Sequence, residues 1–170
     1  MATELVDPAA TGNTETRPEA AALAAMKRSK KIGTVLLATD LSPVSEEATG
    51  QAIELAAALH ARLLVVNVID LGERGHASPL HLTARVDLQR AEREMPLLAI
   101  VDRARARGVQ ATFLLWTGAA GQAIVAAAEA EGADLVIVGT RGLDRAGRFL
   151  LGSVSDYVVY HSACPVMVAR

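Results

Sequence analysis

The residues best suited to chemistry lie between Asp134 and Ser155, in the run DLVIVGTRGLDRAGRFLLGSVS. Gly139, Gly142 and Gly152 are separated by two and nine residues, and Ser153 directly follows the last of them. Glycine lets the backbone bend freely and lets a ligand rest against bare N–H groups. The segment Val154 to Tyr160 reads as a helix, which places Ser153 and Ser155 at a helix N-terminus. There the first amides have no partner inside the helix and the dipole is positive, so an anion is favoured. Leu135 to Val138, ahead of the loop, reads as a strand buried on both faces. A buried strand, a glycine-spaced loop and a helix start together form a cradle for phosphate.

Composition bounds what can carry this cradle. With 170 residues the chain suits one domain with a substantial core, plus a tail. Hydrophobic residues make up 51%, largely alanine and aliphatics, and aromatics only 3%, which leaves little on which nucleic-acid bases could stack. The net charge of −2 and pI of about 6.1 provide no general basic field for DNA, RNA or an anionic membrane. Cys164 is the sole cysteine, so no internal disulfide forms and a reducing compartment is the simpler expectation. Glu4 and Asp7 stand where a secretory leader would be basic, and no apolar run approaches membrane-spanning length. A cytoplasmic, soluble protein is expected. His60, His76, His81 and His161 show no metal-ligand spacing with one another or with Cys164.

Residues 1–30 are punctuated by Pro8, Gly12 and Pro18 and lack an apolar period long enough to bury, so a flexible N-terminal tail is expected. Its basic run, Lys27 to Lys31, reads as solvated charge. From about residue 31 the pattern alternates. Thr34 to Ala38 is a short buried strand that leads into Thr39 and Asp40. Ser42-Pro43 supplies a helix start, with Glu46 and Glu47 in the first turn and an apolar face running from Val44 to His60. Leu63 to Val68 is the second strand. A helical stretch from about Leu80 to Arg107 follows, and Pro96 inside it predicts a kink or two helices meeting at Met95. Val109 to Trp116 alternates as an edge strand, and Ala119 to Glu131 is helical up to Gly132. Pro165 to Val168 is a short final strand. Alternating strands and helices with short connections predict an α/β, Rossmann-like, doubly wound parallel sheet of five strands, order 3-2-1-4-5, with helices on both faces. Its ligand crevice falls where the winding reverses, between strands one and four, with Asp40 and Gly139 on opposite lips.

The spacing Gly139-x2-Gly142-x9-Gly152-Ser153 resembles the ATP-binding signature of the universal stress protein family. Thr39-Asp40 after strand one, Asn67 to Asp70 after strand two, and the ending Cys164 to Val168 resemble it too, so the likeness covers about Lys30 to Arg170. The resemblance implies an adenine nucleotide, ATP or a relative, held by Ala38, Thr39, Asp40, Val68, Gly139, Arg141, Gly142, Gly152, Ser153, Val154 and Ser155. In that picture the Val68 backbone pairs with adenine and Asp40 lies by the ribose or phosphates. The Gly139–Gly142 turn cradles ribose and phosphate, and the Gly152–Ser155 amides hold phosphate oxygens. Arg141 and Arg148 are candidates for added positive charge, and Asp40 for holding Mg through the phosphates. Two departures stand out: Pro96, and Thr117-Gly118-Ala119 where the family more usually has Gly-Asp-Pro.

No Walker lysine motif, base beside a bound water or nucleophile–histidine pair is present, so at most slow ATP hydrolysis or autophosphorylation at Ser153 or Ser155 is expected. The leading expectation is an ATP-binding regulatory module of stress responses. A nucleotide-independent dimeric interaction module of the same fold is the alternative. A receiver domain is excluded, because Asp40 has no acidic neighbour before it and no lysine follows Lys31. The apolar last strand, Pro165 to Ala169, predicts a homodimer through edge pairing, as relatives commonly form.

Overall fold

The computed structural model describes residues 31–70, 79–140 and 152–169. The chain divides into Met1–Lys31 and Ile32–Arg170, and the second unit holds every element described below. The expected tail, residues 1–30, lies outside the described residues.

Strand β1 (Thr34–Ala38) is buried along its whole length. A 3-10 turn, Pro43–Ser45, then leads into helix α1 (Glu46–Leu59). Proline fits this first turn because its missing N–H would have had no helical acceptor. Ser42 precedes the turn but gives it no side-chain cap; its hydroxyl donates instead to Asp40 Oδ1 at 2.7 Å. Helix α1 ends at His60, held in the left-handed conformation at φ 52° where glycine is usual. That tight stop lets strand β2 (Arg62–Ile69) begin almost at once. Helix α2 (Pro79–Ala106) follows, then strand β3 (Ala111–Thr117) and helix α3 (Ala120–Ala130). Gly132 at φ 61° ends the α3 turn, and strand β4 (Leu135–Gly139) comes next. Helix α4 (Ser153–His161) and strand β5 (Val166–Ala169) complete the domain.

All strand pairs are parallel, and the order is β3-β2-β1-β4-β5. The fold is the expected doubly wound, Rossmann-like α/β sheet. Its core obeys the two-residue period of a strand. Val35, Leu37, Leu63, Val65 and Ile137 face one way, onto the alanine face of α1 and onto Leu97, Ile100, Val101 and Ala104 of α2. Leu36, Leu64, Val66, Val136 and Val138 face the other way, onto Ile124, Ala127 and Ala128 of α3 and Val158 of α4. Edge strand β3 is only half-buried, as its alternation predicts.

Helix α2 corrects one alternative. It does not break at Met95 but runs as a single 28-residue helix through Pro96. The reason is placement: Pro96 and Glu92, whose carbonyl would otherwise accept the missing N–H, both lie on the exposed face. Leu97, by contrast, is completely buried and anchors the following turn.

Helices α3 and α4 approach closely because Gly121 has no side chain. A Cβ placed there would lie 2.8 Å from Cγ and Cδ1 of Tyr157. Those atoms sit near the base of the ring, which cannot swing aside cheaply. Gly121→Ala is therefore expected to destabilise the domain by about 1–3 kcal/mol, the usual cost of overpacking, read as a lowered urea midpoint at unchanged m-value.

Candidate functional site

Strands β1 and β2 do not end together. Ala38 pairs with Val66, so β2 continues beyond the last residue of β1. Thr39 N–H still reaches the Val66 carbonyl at 3.0 Å. The next rung of a parallel ladder would bring the Leu41 N–H onto the Val68 carbonyl. Leu41 instead takes a left-handed conformation, φ 63°, and donates to Thr39 Oγ1 at 3.1 Å. The chain thus peels away from the sheet where the crevice opens.

Small polar side chains hold this turn. Ser45 Oγ donates to the Ser42 carbonyl at 2.8 Å, so in its 3.0 Å contact with Thr39 Oγ1 the threonine hydroxyl is the donor. Asp40 Oδ1 accepts from both the N–H and the hydroxyl of Ser42, at 3.0 and 2.7 Å. Asn67, 2% exposed, donates through Nδ2 to the Thr39 carbonyl at 2.8 Å. Its Oδ1 accepts from Arg93 Nη1 at 2.8 Å, and the same Nη1 donates to the Val68 carbonyl at 2.8 Å.

The crevice beside this turn has a volume of about 470 Å³, within the range of roughly 300–1,000 Å³ usual for small-molecule sites. Ala38, Val66, Val68, Ile124 and Val138 give it an apolar floor. Thr39, Asp40 and Ser45 form one lip, and Gly139 with Gly152 to Ser155 forms the opposite one. Asp70, Gln89 and Arg93 close the end nearest β2. Of the residues expected at the site, Ala38, Thr39, Asp40, Val68, Gly139, Gly152, Ser153, Val154 and Ser155 all line this one space. Arg141 and Gly142 lie outside the described residues, as does Arg148. Ser45, Gln89, Arg93 and Ile124 were not read from the sequence.

The start of α4 faces the crevice. Gly152 is its N-cap and makes no side-chain cap bond, so Ser153 and Ser155 lie inside the first turn rather than capping it. Ser155 is buried, and its hydroxyl donates to the Gly152 carbonyl at 2.9 Å. Its amide and those of Ser153 and Val154 have no acceptor four residues back within the helix. Among the described residues no group of three or more His, Cys, Asp or Glu could hold a metal ion, and no helix is long and apolar enough to cross a membrane. Asp40 and Asp70 therefore offer single carboxylates to the crevice.

A doubly wound domain with an uncapped helix start at its switch point defines a class, α/β proteins with a crevice suited to small anionic ligands. The family model for the universal stress protein family matches residues 31–170, and the chain belongs to that family. It is 39% identical over 145 residues to a Thermus aquaticus universal stress protein from the QAH/OAS sulfhydrylase 3' region, covering 81% of this chain and 98% of that one. Among solved structures, the universal stress protein UspA of Lactobacillus plantarum shares the fold with a TM-score of 0.73 at 22% identity, covering 82% of this chain and 99% of that one. A universal stress protein in complex with cAMP is 28% identical with a TM-score of 0.64, covering 82% and 98%. An Archaeoglobus fulgidus universal stress protein in complex with dAMP matches at 20% identity and a TM-score of 0.59, covering 82% and 99%.

Asn67 is the side chain that joins β1, β2 and α2 at the crevice. Asn67→Ala is expected to lower stability by about 1–3 kcal/mol, since it leaves the Thr39 carbonyl without that donor. Chemical denaturation monitored at Trp116 measures it.

Proposed function

We propose that the crevice binds an adenine nucleotide and that the protein is a regulatory module which reports nucleotide occupancy during stress. The observation that carries this reading is the uncapped start of α4 facing an apolar floor within one crevice. The floor suits a planar base, and the amides of Ser153, Val154 and Ser155 suit phosphate oxygens. The cAMP and dAMP complexes of the two structural relatives support an adenylate as the ligand class.

In this reading the ligand is ATP or a related adenylate, with its base over Val66 and Val68 and the Val68 backbone at its edge. Thr39 and Asp40 lie along the ribose and phosphates, and Gly139 with Arg141 and Gly142 forms the opposite wall. The site fits a magnesium ion only as one carried in by the phosphates, because Asp40 is a lone carboxylate on its lip. When bound, such an ion would neutralise phosphate charge. No described residue is arranged as a general base, so turnover is at most slow. Ser153 is exposed while the hydroxyl of Ser155 is buried and committed, so Ser153 is the candidate for any autophosphorylation.

The domain proposed to do this is 31–170, with 1–30 as an appended tail, in the cytoplasm. It acts as a homodimer through β5. That strand is the edge of the sheet, and its Met167 flanks a shallow apolar groove with Leu55 and Ala58 of α1.

Two measurements test the reading. Equilibrium dialysis with labelled ATP should give saturable binding that weakens at least tenfold in Gly152→Val, which puts a branched side chain into the lip. Equal binding by a folded variant would refute the placement. Light scattering at micromolar concentration should give a dimer, and a monomer would refute pairing through β5.

A further inference from the structure

Arg93 is the cation among the described residues that line the crevice, and it enters no ion pair among them. Both hydrogens of its Nη1 are committed, one to Asn67 Oδ1 and one to the Val68 carbonyl, each at 2.8 Å. A guanidinium carries five N–H donors, so those on Nε and Nη2 are left over. They are not sealed in. Among the described residues the buried side-chain polar atoms without a partner are Arg85 Nε and Gln89 Oε1, so Nε and Nη2 of Arg93 are accessible. Two short bonds on one nitrogen of a planar group also fix where the other nitrogens lie. The donors are held in place before any ligand arrives.

The Val68 carbonyl has capacity left as well. It lies past the end of β1, and the N–H that would continue the ladder belongs to Leu41, which is turned away. Its oxygen has two lone pairs, and Arg93 takes one. The base end of the crevice therefore sets a backbone acceptor directly beside a charged donor. One edge of adenine is the complement of that pair: the exocyclic amine donates and the adjacent ring nitrogen, N1, accepts. With the amine on the Val68 carbonyl, N1 falls against the guanidinium. Arg93 keeps its protons at any working pH and never becomes an acceptor, so a base carrying hydrogen on N1 meets it donor to donor.

We propose that Arg93 is a specificity-determining residue of the crevice, whose free guanidinium donors read N1 of adenine while the Val68 carbonyl holds the amine. The inference rests on the adenine-nucleotide reading above and deepens it by naming the side chain that recognises the base.

The test compares AMP with 1-deaza-AMP, in which N1 is replaced by C–H, by calorimetric titration of the full chain. In the unmodified protein 1-deaza-AMP should bind about tenfold more weakly, the size of one hydrogen bond from a charged donor. In Arg93→Met, which keeps the apolar stem but removes every donor, the two should differ by less than threefold. A side chain that merely braced the Val68 peptide would weaken both ligands alike and leave the ratio where it was. Arg93→Lys serves the Asn67 and Val68 oxygens from a single ammonium nitrogen and has no second nitrogen beside it. Its ratio should also fall below threefold, and it decides the matter should the methionine variant fail to fold. A ratio below threefold in the unmodified protein, or one that stays above threefold in a folded variant, overturns the proposal while leaving nucleotide binding intact. Absence of AMP binding to the unmodified protein overturns the site reading itself, and this one with it.

Discussion

The peptide of Val68 lies beyond the point where β1 can pair with it, and the organisation of the site follows from that mismatch in strand length. A carbonyl in the interior of a sheet is paired by its neighbour; one past the end of the neighbouring strand must find another donor or meet solvent. Here the neighbour turns off through a left-handed leucine, its N–H held by a threonine hydroxyl. The gap that results is open to a ligand and is bridged from the far face of the sheet by an arginine. A crevice at the switch point is a property of the topology, but its polar character is set by this local divergence.

The same region holds most of the buried polarity of the domain. Thr34, Thr39, Ser45, Thr49, Asn67 and Ser155 are the buried polar residues among those described. Each has a hydrogen-bond partner: Arg62 for Thr34, backbone carbonyls for Thr49, Asn67 and Ser155, and one another for Thr39 and Ser45. Satisfied groups of this kind fix conformation rather than add much net stability. The apolar side chains on the two faces of the sheet hold the fold together. The small hydroxyls and the single amide decide how β1 leaves it.

Much of the fold was legible because it rests on local rules. Runs such as TVLLA and LVIV read as buried strands, alanine at helical spacing reads as a packed face, and short connections require a parallel order. The crevice lips were legible for the same reason, since glycine spacing and an aspartate after a strand are short-range signals. The terminal details were less so. His60 takes a left-handed stop that a sequence reader assigns to glycine, and Ser42 gives its hydroxyl to Asp40 rather than to the helix. Arg93 was invisible. It sits on a charged helix without a motif, and its partners lie 25 and 26 residues away. One cue existed in principle: Asn67 stands in an otherwise aliphatic strand and requires polar partners wherever it is buried.

Pro96 has a mechanical consequence. A proline cannot close the turn that begins at Glu92, so α2 lacks one of its stiffening bonds in the segment that carries Arg93. On the far side Leu97, Ile100 and Val101 are embedded in the core and immobilise the C-terminal half of the helix. The compliant joint between these halves lies within one turn of the guanidinium. The least-braced turn of the helix is thus the one beside the crevice, while the turns after it are pinned to the sheet.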